Sequence, residues 1–176
     1  MENTDTTTQR QPKTKWLSIQ IGVVGLLCAI IGNLYPETML QKHLYLAGGV
    51  LLFISALRER EEYFIALEVV VTICALLAYL PDHGELKMAV PLVLSLFSIA
   101  YLYYRGLLRS WLSLVGVTGL VLLGLGYATL NPLIYLAGGI VLTIYSAVSY
   151  YRGVGIALLW AILNAVFALT ALISFL

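Results

Sequence analysis

The chain has 176 residues, 61% of them hydrophobic and 11% charged, with a mean hydropathy of +0.93 and a formal net charge of +1. A water-soluble domain of this size cannot hide that much apolar surface, so the expected solvent is lipid and little chain remains for a soluble domain. A near-neutral charge, with no dense Lys/Arg stretch outside the apolar segments, excludes a nucleic-acid partner, which needs a basic face to hold phosphates.

Residues 1–15 are polar, rich in Thr and Gln, and carry Arg10, Lys13 and Lys15; they are read as a disordered tail. Seven apolar segments follow, at 16–35, 40–57, 63–80, 86–104, 111–130, 133–151 and 154–175. Crossing hydrocarbon roughly 30 Å thick takes about 20 such residues, so the expected fold is all-α, a bundle of seven transmembrane helices. The first segment lacks a small-x-small cleavage site and has a counterpart later in the chain, which argues for a permanent helix over a signal peptide. Cys28 and Cys74 fall inside apolar segments without ligand groups at metal spacing and read as small buried hydrophobes.

The tail and alternate loops carry Arg10, Lys13, Lys15, Arg58, Arg60, Arg105, Arg109 and Arg152, against only Lys42 and Lys87 on the other side. The positive-inside rule then puts the N-terminus in the cytoplasm and Leu176 outside. Trp16, Tyr63, Tyr103, Tyr104, Trp111, Tyr150 and Tyr151 would form an inner aromatic belt, and Tyr35, Tyr45, Tyr79 and Tyr135 an outer one. The compact loops fit a bacterial inner-membrane protein.

The chain also repeats itself. Gly22-Val23-Val24-Gly25-Leu26, Gly32 and Ala47-Gly48-Gly49 return in the same order as Gly116-Val117-Thr118-Gly119-Leu120, Gly126 and Ala137-Gly138-Gly139. The offset is 94 for the first helix, 90 for the Ala-Gly-Gly helix, and 91 where Ile65-Ala66-Leu67 meets Ile156-Ala157-Leu158. Each repeat thus spans three helices, 16–80 and 111–176, and the segment 86–104 carries the chain back so that both start on the same side. Gly22, Gly25, Ala29 and Gly32 share a narrow arc of the first helix, a stripe that allows close helix packing in lipid or a sliding interface. Duplicated membrane segments commonly enclose a solute path at their interface.

Two parallel triple-helix bundles joined by a linker helix resemble the SWEET and PQ-loop superfamily, including nicotinamide riboside type vitamin carriers. The resemblance implies a carrier of a small sugar-, nucleoside- or vitamin-like solute working by alternating access. Members of that superfamily bear a proline, often followed by glutamine, within the first helix of each bundle. Here the pair is absent, and Pro36, Pro81, Pro91 and Pro132 are read at segment ends, so any rocking would use glycines. Asparagines on the third and seventh helices line the solute site in that superfamily. Asn164 looks like the seventh-helix one, while the third helix offers Glu68, Thr72 and Ile73 instead.

Glu68 is the formal charge placed inside an apolar segment, about 7 Å past Tyr63 at 1.5 Å per residue. A carboxylate there must face protein or water, which suits a proton carrier or a hydrogen bond to a polar solute; the alternative is an interfacial acid reaching toward Arg58 or Arg60. Its sequence counterpart is Leu159. Asn164 is deeper, about 15 Å along from Val154, with Trp160 one turn earlier on the same face. Indole and amide together would stack a ring and read its polar edge, or Asn164 would make an interhelical hydrogen bond; Ser55, Tyr145 and Ser146 are candidate partners.

Asp82, His83, Glu85, Glu37 and His43 include metal-ligand types without tight ligand spacing, so no metal is expected. No cofactor is expected either: there is no phosphate loop, no nucleophile elbow and no zinc-protease pair, and the seventh helix lacks a Schiff-base lysine. The alternating charges of 58–62 read as a solvated turn or a docking point. The expected partners are the bilayer and a small solute. A homo-oligomer is compatible with the pattern, although one chain holds both bundles. Two other readings stand beside the carrier: a noncatalytic membrane partner or assembly factor, and, less favoured, an intramembrane enzyme using Glu68 without an evident second group.

Overall fold

The computed structural model describes residues 12–80, 84–154 and 157–173, and these form seven α-helices. They are α1 (Pro12–Asn33), α2 (Met39–Glu59), α3 (Glu62–Leu77), α4 (Gly84–Tyr104), α5 (Trp111–Thr129), α6 (Pro132–Tyr151) and α7 (Ala157–Ile173). The disordered-tail reading of 1–11, the loop residues Asp82 and His83, and the terminal Leu176 lie outside the described residues. Residues 12–15 belong to α1, so this helix starts four residues ahead of the expected segment.

Local chemistry sets the helix ends. Thr38, Ser110 and Asn131 stand in extended conformation ahead of α2, α5 and α6, and their side-chain oxygens accept from the backbone N–H groups of Gln41, Ser113 and Leu133. Pro132 opens α6, where its missing N–H has no helical partner to lose. Arg60 and Leu130 end α2 and α5 in the left-handed region, at φ 58° and 54°.

Five helices, α1 from Trp16 onward, α2, α4, α5 and α6, are long and apolar enough to cross a membrane. This is the fold of a multi-pass membrane protein. The two others differ from the uniform seven expected: α3 and α7 have 16 and 17 residues, about 24–26 Å at 1.5 Å per residue. They are inner helices. Phe64, Leu67, Val70, Val71 and Cys74 of α3, and Trp160, Leu163 and Phe167 of α7, are all buried in one core.

Among the described residues the helices form a closed ring. α1 packs on α2, α2 on α3, α3 on α5, α5 on α6, α6 on α7, and α7 returns to α1, while α4 lies outside against α3 and α5. Only 17% of the α4 apolar stretch is buried, against 56% for α5, so α4 turns Leu96 and Phe97 outward while α5 is enclosed.

The glycines of both sequence copies sit in matching contacts. A methyl group at Gly25 would fall 3.0 Å from Leu52, and one at Gly119 would meet Leu142; one at Gly32 would fall 2.9 Å from the ring of Tyr45, and one at Gly126 2.9 Å from that of Tyr135. Gly48 faces the Gly25 carbonyl oxygen, and Gly138 faces the backbone of Leu122 and Leu123. Gly49 lies against Thr72 and Gly139 against Ala168 and the Asn164 backbone, while Gly22 and Gly116 are also buried. This repeat-like arrangement gives apolar helices in lipid the close approach that lipid tails cannot supply.

Two sequence expectations need correction. Tyr45 and Tyr135 are each 1% exposed and Tyr63 is 8% exposed, so they leave the aromatic belts for the core, where the glycine notches accept two of their rings. Pro91 sits inside α4, beyond its first turn and fully buried, where it removes one donor from the helix ladder. Thr72 and Ala168, which lie against Gly49 and Gly139, are 96 residues apart, while Ile156 of the expected pairing lies outside the described residues.

Candidate functional site

Between the helices a cavity of about 30 Å³ is lined by α1, α2, α3, α5 and α7, with Glu68, Asn164, Tyr127, Trp160 and Phe167 among its walls. Glu68 of α3 and Asn164 of α7 both line it. Glu68 is 3% exposed and Asn164 7%. The Glu68 Oε2 is buried without a hydrogen-bond partner, so it does not reach Arg58 or Arg60 in the manner of an interfacial acid. The Asn164 amide donates to the Trp160 carbonyl one turn back, at 2.8 Å.

Aromatic pairs stand to either side of Glu68 and Asn164 along the helices. Toward the 58–62 loop, Phe64 stacks on Trp160 with ring centroids 4.6 Å apart and planes 9° from parallel, and Tyr63 lies 4.2 Å from Tyr145. At the other end Tyr127 stacks on Phe167 at 6.0 Å, and Tyr45 lies 4.8 Å from Tyr127 and 5.4 Å from Tyr135. A buried polar network backs that second layer. The Tyr45 hydroxyl donates to Asn33 Oδ1, Gln41 Nε2 donates to the Tyr45 hydroxyl at 3.1 Å, and Asn33 Nδ2 donates to the Thr170 hydroxyl at 3.0 Å. These bonds tie α1, α2 and α7 together.

Beyond the Tyr63 and Tyr145 layer lies an open cleft of about 390 Å³, lined by Arg60, Glu61, Glu62, Arg105 and Leu107 as well as those two tyrosines. Glu62 and Arg105 form an ion pair at its rim, with Arg105 Nε 2.8 Å from Glu62 Oε2. The hydrogen bonds from Arg105 hold the Glu62 carboxyl below the usual carboxylate range, while burial pushes Glu61 up and the nearby Glu59 charge adds to that. Because the Glu62 value is lowered, the pair contributes fully above the ordinary carboxylate range and weakens as pH falls through the lowered value. Arg105→Ala is expected to bring Glu62 back toward the ordinary value, read by carboxyl-carbon NMR titration in micelles. An unmoved titration would mean that the pair does not form in solution.

Of the sequence candidates, Glu68, Asn164 and Trp160 meet at the cavity, and the others do not. Ser55 donates to the Ser18 carbonyl at 2.8 Å, in the α1–α2 contact. Thr72 is packed on Gly49 with its hydroxyl buried and unpaired, Ser146 is fully buried with its hydroxyl unpaired, and Tyr145 belongs to the cleft. Sequence reasoning missed Tyr127 and Phe167 in the cavity wall and Asn33, Gln41 and Thr170 behind it. The recurring Gly32/Tyr45 and Gly126/Tyr135 pairs were a usable signal for the second aromatic layer. No group of three potential metal ligands occurs among the described residues.

Comparison with protein-family models, curated proteins and solved structures returned no match.

Proposed function

We propose that this protein is a carrier of a small polar solute, working by alternating access across the cytoplasmic membrane, with the N-terminus inside. The observation that carries the proposal is the cavity lined by Glu68 and Asn164, on the two inner helices, with a stacked aromatic pair to either side of them along the helices. Buried ionisable and amide groups at membrane depth are costly and usually mark solute or proton paths. The matched glycine contacts support two three-helix bundles, 16–80 and 111–176, with α4 as the linker. That organisation is the basis of the likeness to SWEET and PQ-loop carriers.

A cavity of about 30 Å³ has room for one or two waters, not for a sugar or nucleoside ring. On this reading the arrangement is a closed state, in which either aromatic layer must part for a larger solute to enter. The cleft beyond Tyr63 and Tyr145 supplies the approach from the side of the 58–62 loop.

Uptake of labelled solutes into proteoliposomes tests the reading. Asn164→Leu and Trp160→Ala are each expected to lower uptake at least tenfold while the protein elutes as a folded particle. Uptake unchanged by both would discard this cavity as the site.

A further inference from the structure

We infer that the solute is a small ammonium-type cation, a protonated primary amine, held between the Glu68 carboxylate and the rings of Tyr127, Trp160 and Phe167. The inference rests on the carrier reading and names its substrate class.

Three features of the cavity favour this over a neutral polar solute. Glu68 is buried with Oε2 unpaired, and no Lys, Arg or His lines the space around it, so the wall contains no balancing positive charge. A cation that enters supplies that charge at a depth where water cannot. The wall also contains three aromatic residues, Tyr127, Trp160 and Phe167, and aromatic rings attract ammonium groups most strongly when water is excluded.

The third feature is the balance of hydrogen-bonding groups. The Asn164 amide N–H is already used on the Trp160 carbonyl, which leaves its Oδ1 as an acceptor in the same cavity wall as Glu68. A sugar presents acceptors as well as donors and asks for many polar partners, whereas an ammonium group presents N–H donors alone and asks only for the few acceptors of Glu68 and Asn164. Size agrees: about 30 Å³ seats an ammonium or methylammonium head. A hard metal cation fits less well, since it asks for six or more oxygen ligands and this wall is mostly apolar.

The probe is radiolabelled methylammonium, measured by equilibrium binding at pH 7 to the full chain in nanodiscs. Binding is expected to saturate, to be competed by ammonium and ethylammonium, and to be untouched by sodium chloride, glucose or uridine. E68Q should weaken it at least tenfold and Phe167→Leu severalfold, while Phe97→Leu on the outer face of α4 leaves it unchanged; thermal melts establish that each variant is folded. A folded wild type that does not bind methylammonium, or binding equal in E68Q, overturns the cation assignment. Proteoliposome uptake separates this failure from failure of the carrier reading. Uptake of a neutral solute that depends on Asn164 would keep the carrier and discard the cation, and transport of neither class would discard both.

Discussion

Glu68→Leu is expected to abolish uptake and, at the same time, to raise the melting temperature of the protein. The two effects share one cause. Glu68 is 3% exposed with an oxygen that has no partner, and a buried unpaired polar group costs on the order of 1–3 kcal/mol. Leucine fills nearly the same space among Leu26, Val71 and Leu163 without that cost, so the closed bundle gains stability. It also removes the group that a solute would contact, and a stabilised site that no longer works is the usual form of the trade between activity and stability. Thermal unfolding in detergent and uptake in vesicles are the two measurements. A lower melting temperature would mean that Glu68 has a stabilising partner, and retained uptake would remove it from the site.

Gly48→Leu is expected to leave no folded bundle. A methyl group at Gly48 would sit 2.8 Å from the Gly25 carbonyl oxygen, and one at Gly25 2.9 Å from that of Gly48, so two backbones meet with nothing flexible between them. Overpacking in a core costs about 1–3 kcal/mol even where side chains can yield, and here the helices themselves must separate. Gly138→Leu should behave likewise, because a methyl group there would sit 2.9 Å from the Leu123 backbone. Gly84→Ala serves as the control, since nothing lies within 4 Å of an added methyl group there. Size-exclusion profiles and melting curves distinguish these outcomes, and a monodisperse Gly48→Leu protein with an unchanged melt would refute the packing account.

Glu68 and Gly48 also mark how far sequence reasoning reached. Helix number and the glycine repeat were readable because both are written in composition and order: long apolar runs, and Gly-Val-x-Gly-Leu returning after 94 residues. The trio of Glu68, Trp160 and Asn164 was readable because polar groups are rare in such runs. Helix phase was not. In α5 nearly every residue is apolar, so periodicity does not say which face turns inward, and Tyr127 reads the same whether it faces lipid or cavity. Tyr45 and Tyr135 were misplaced for a related reason: a tyrosine near a helix end fits an interfacial belt by depth, and only the Gly32 and Gly126 notches draw these rings inside. That Glu68 and Asn164 line one cavity is a matter of helix phase, which the short motif Ile65-Ala66-Leu67 does not carry.

The central claim is that the space between Glu68 and Asn164 opens in turn to each side of the membrane. Its most direct test is Asn164→Cys in a chain that also carries Cys28→Ala and Cys74→Ala, so that a single thiol stands in the cavity. A membrane-impermeant thiosulfonate is then applied from one face of oriented vesicles at a time. Labelling from both faces is the predicted result. A folded protein whose introduced thiol reacts from neither face would contradict the claim.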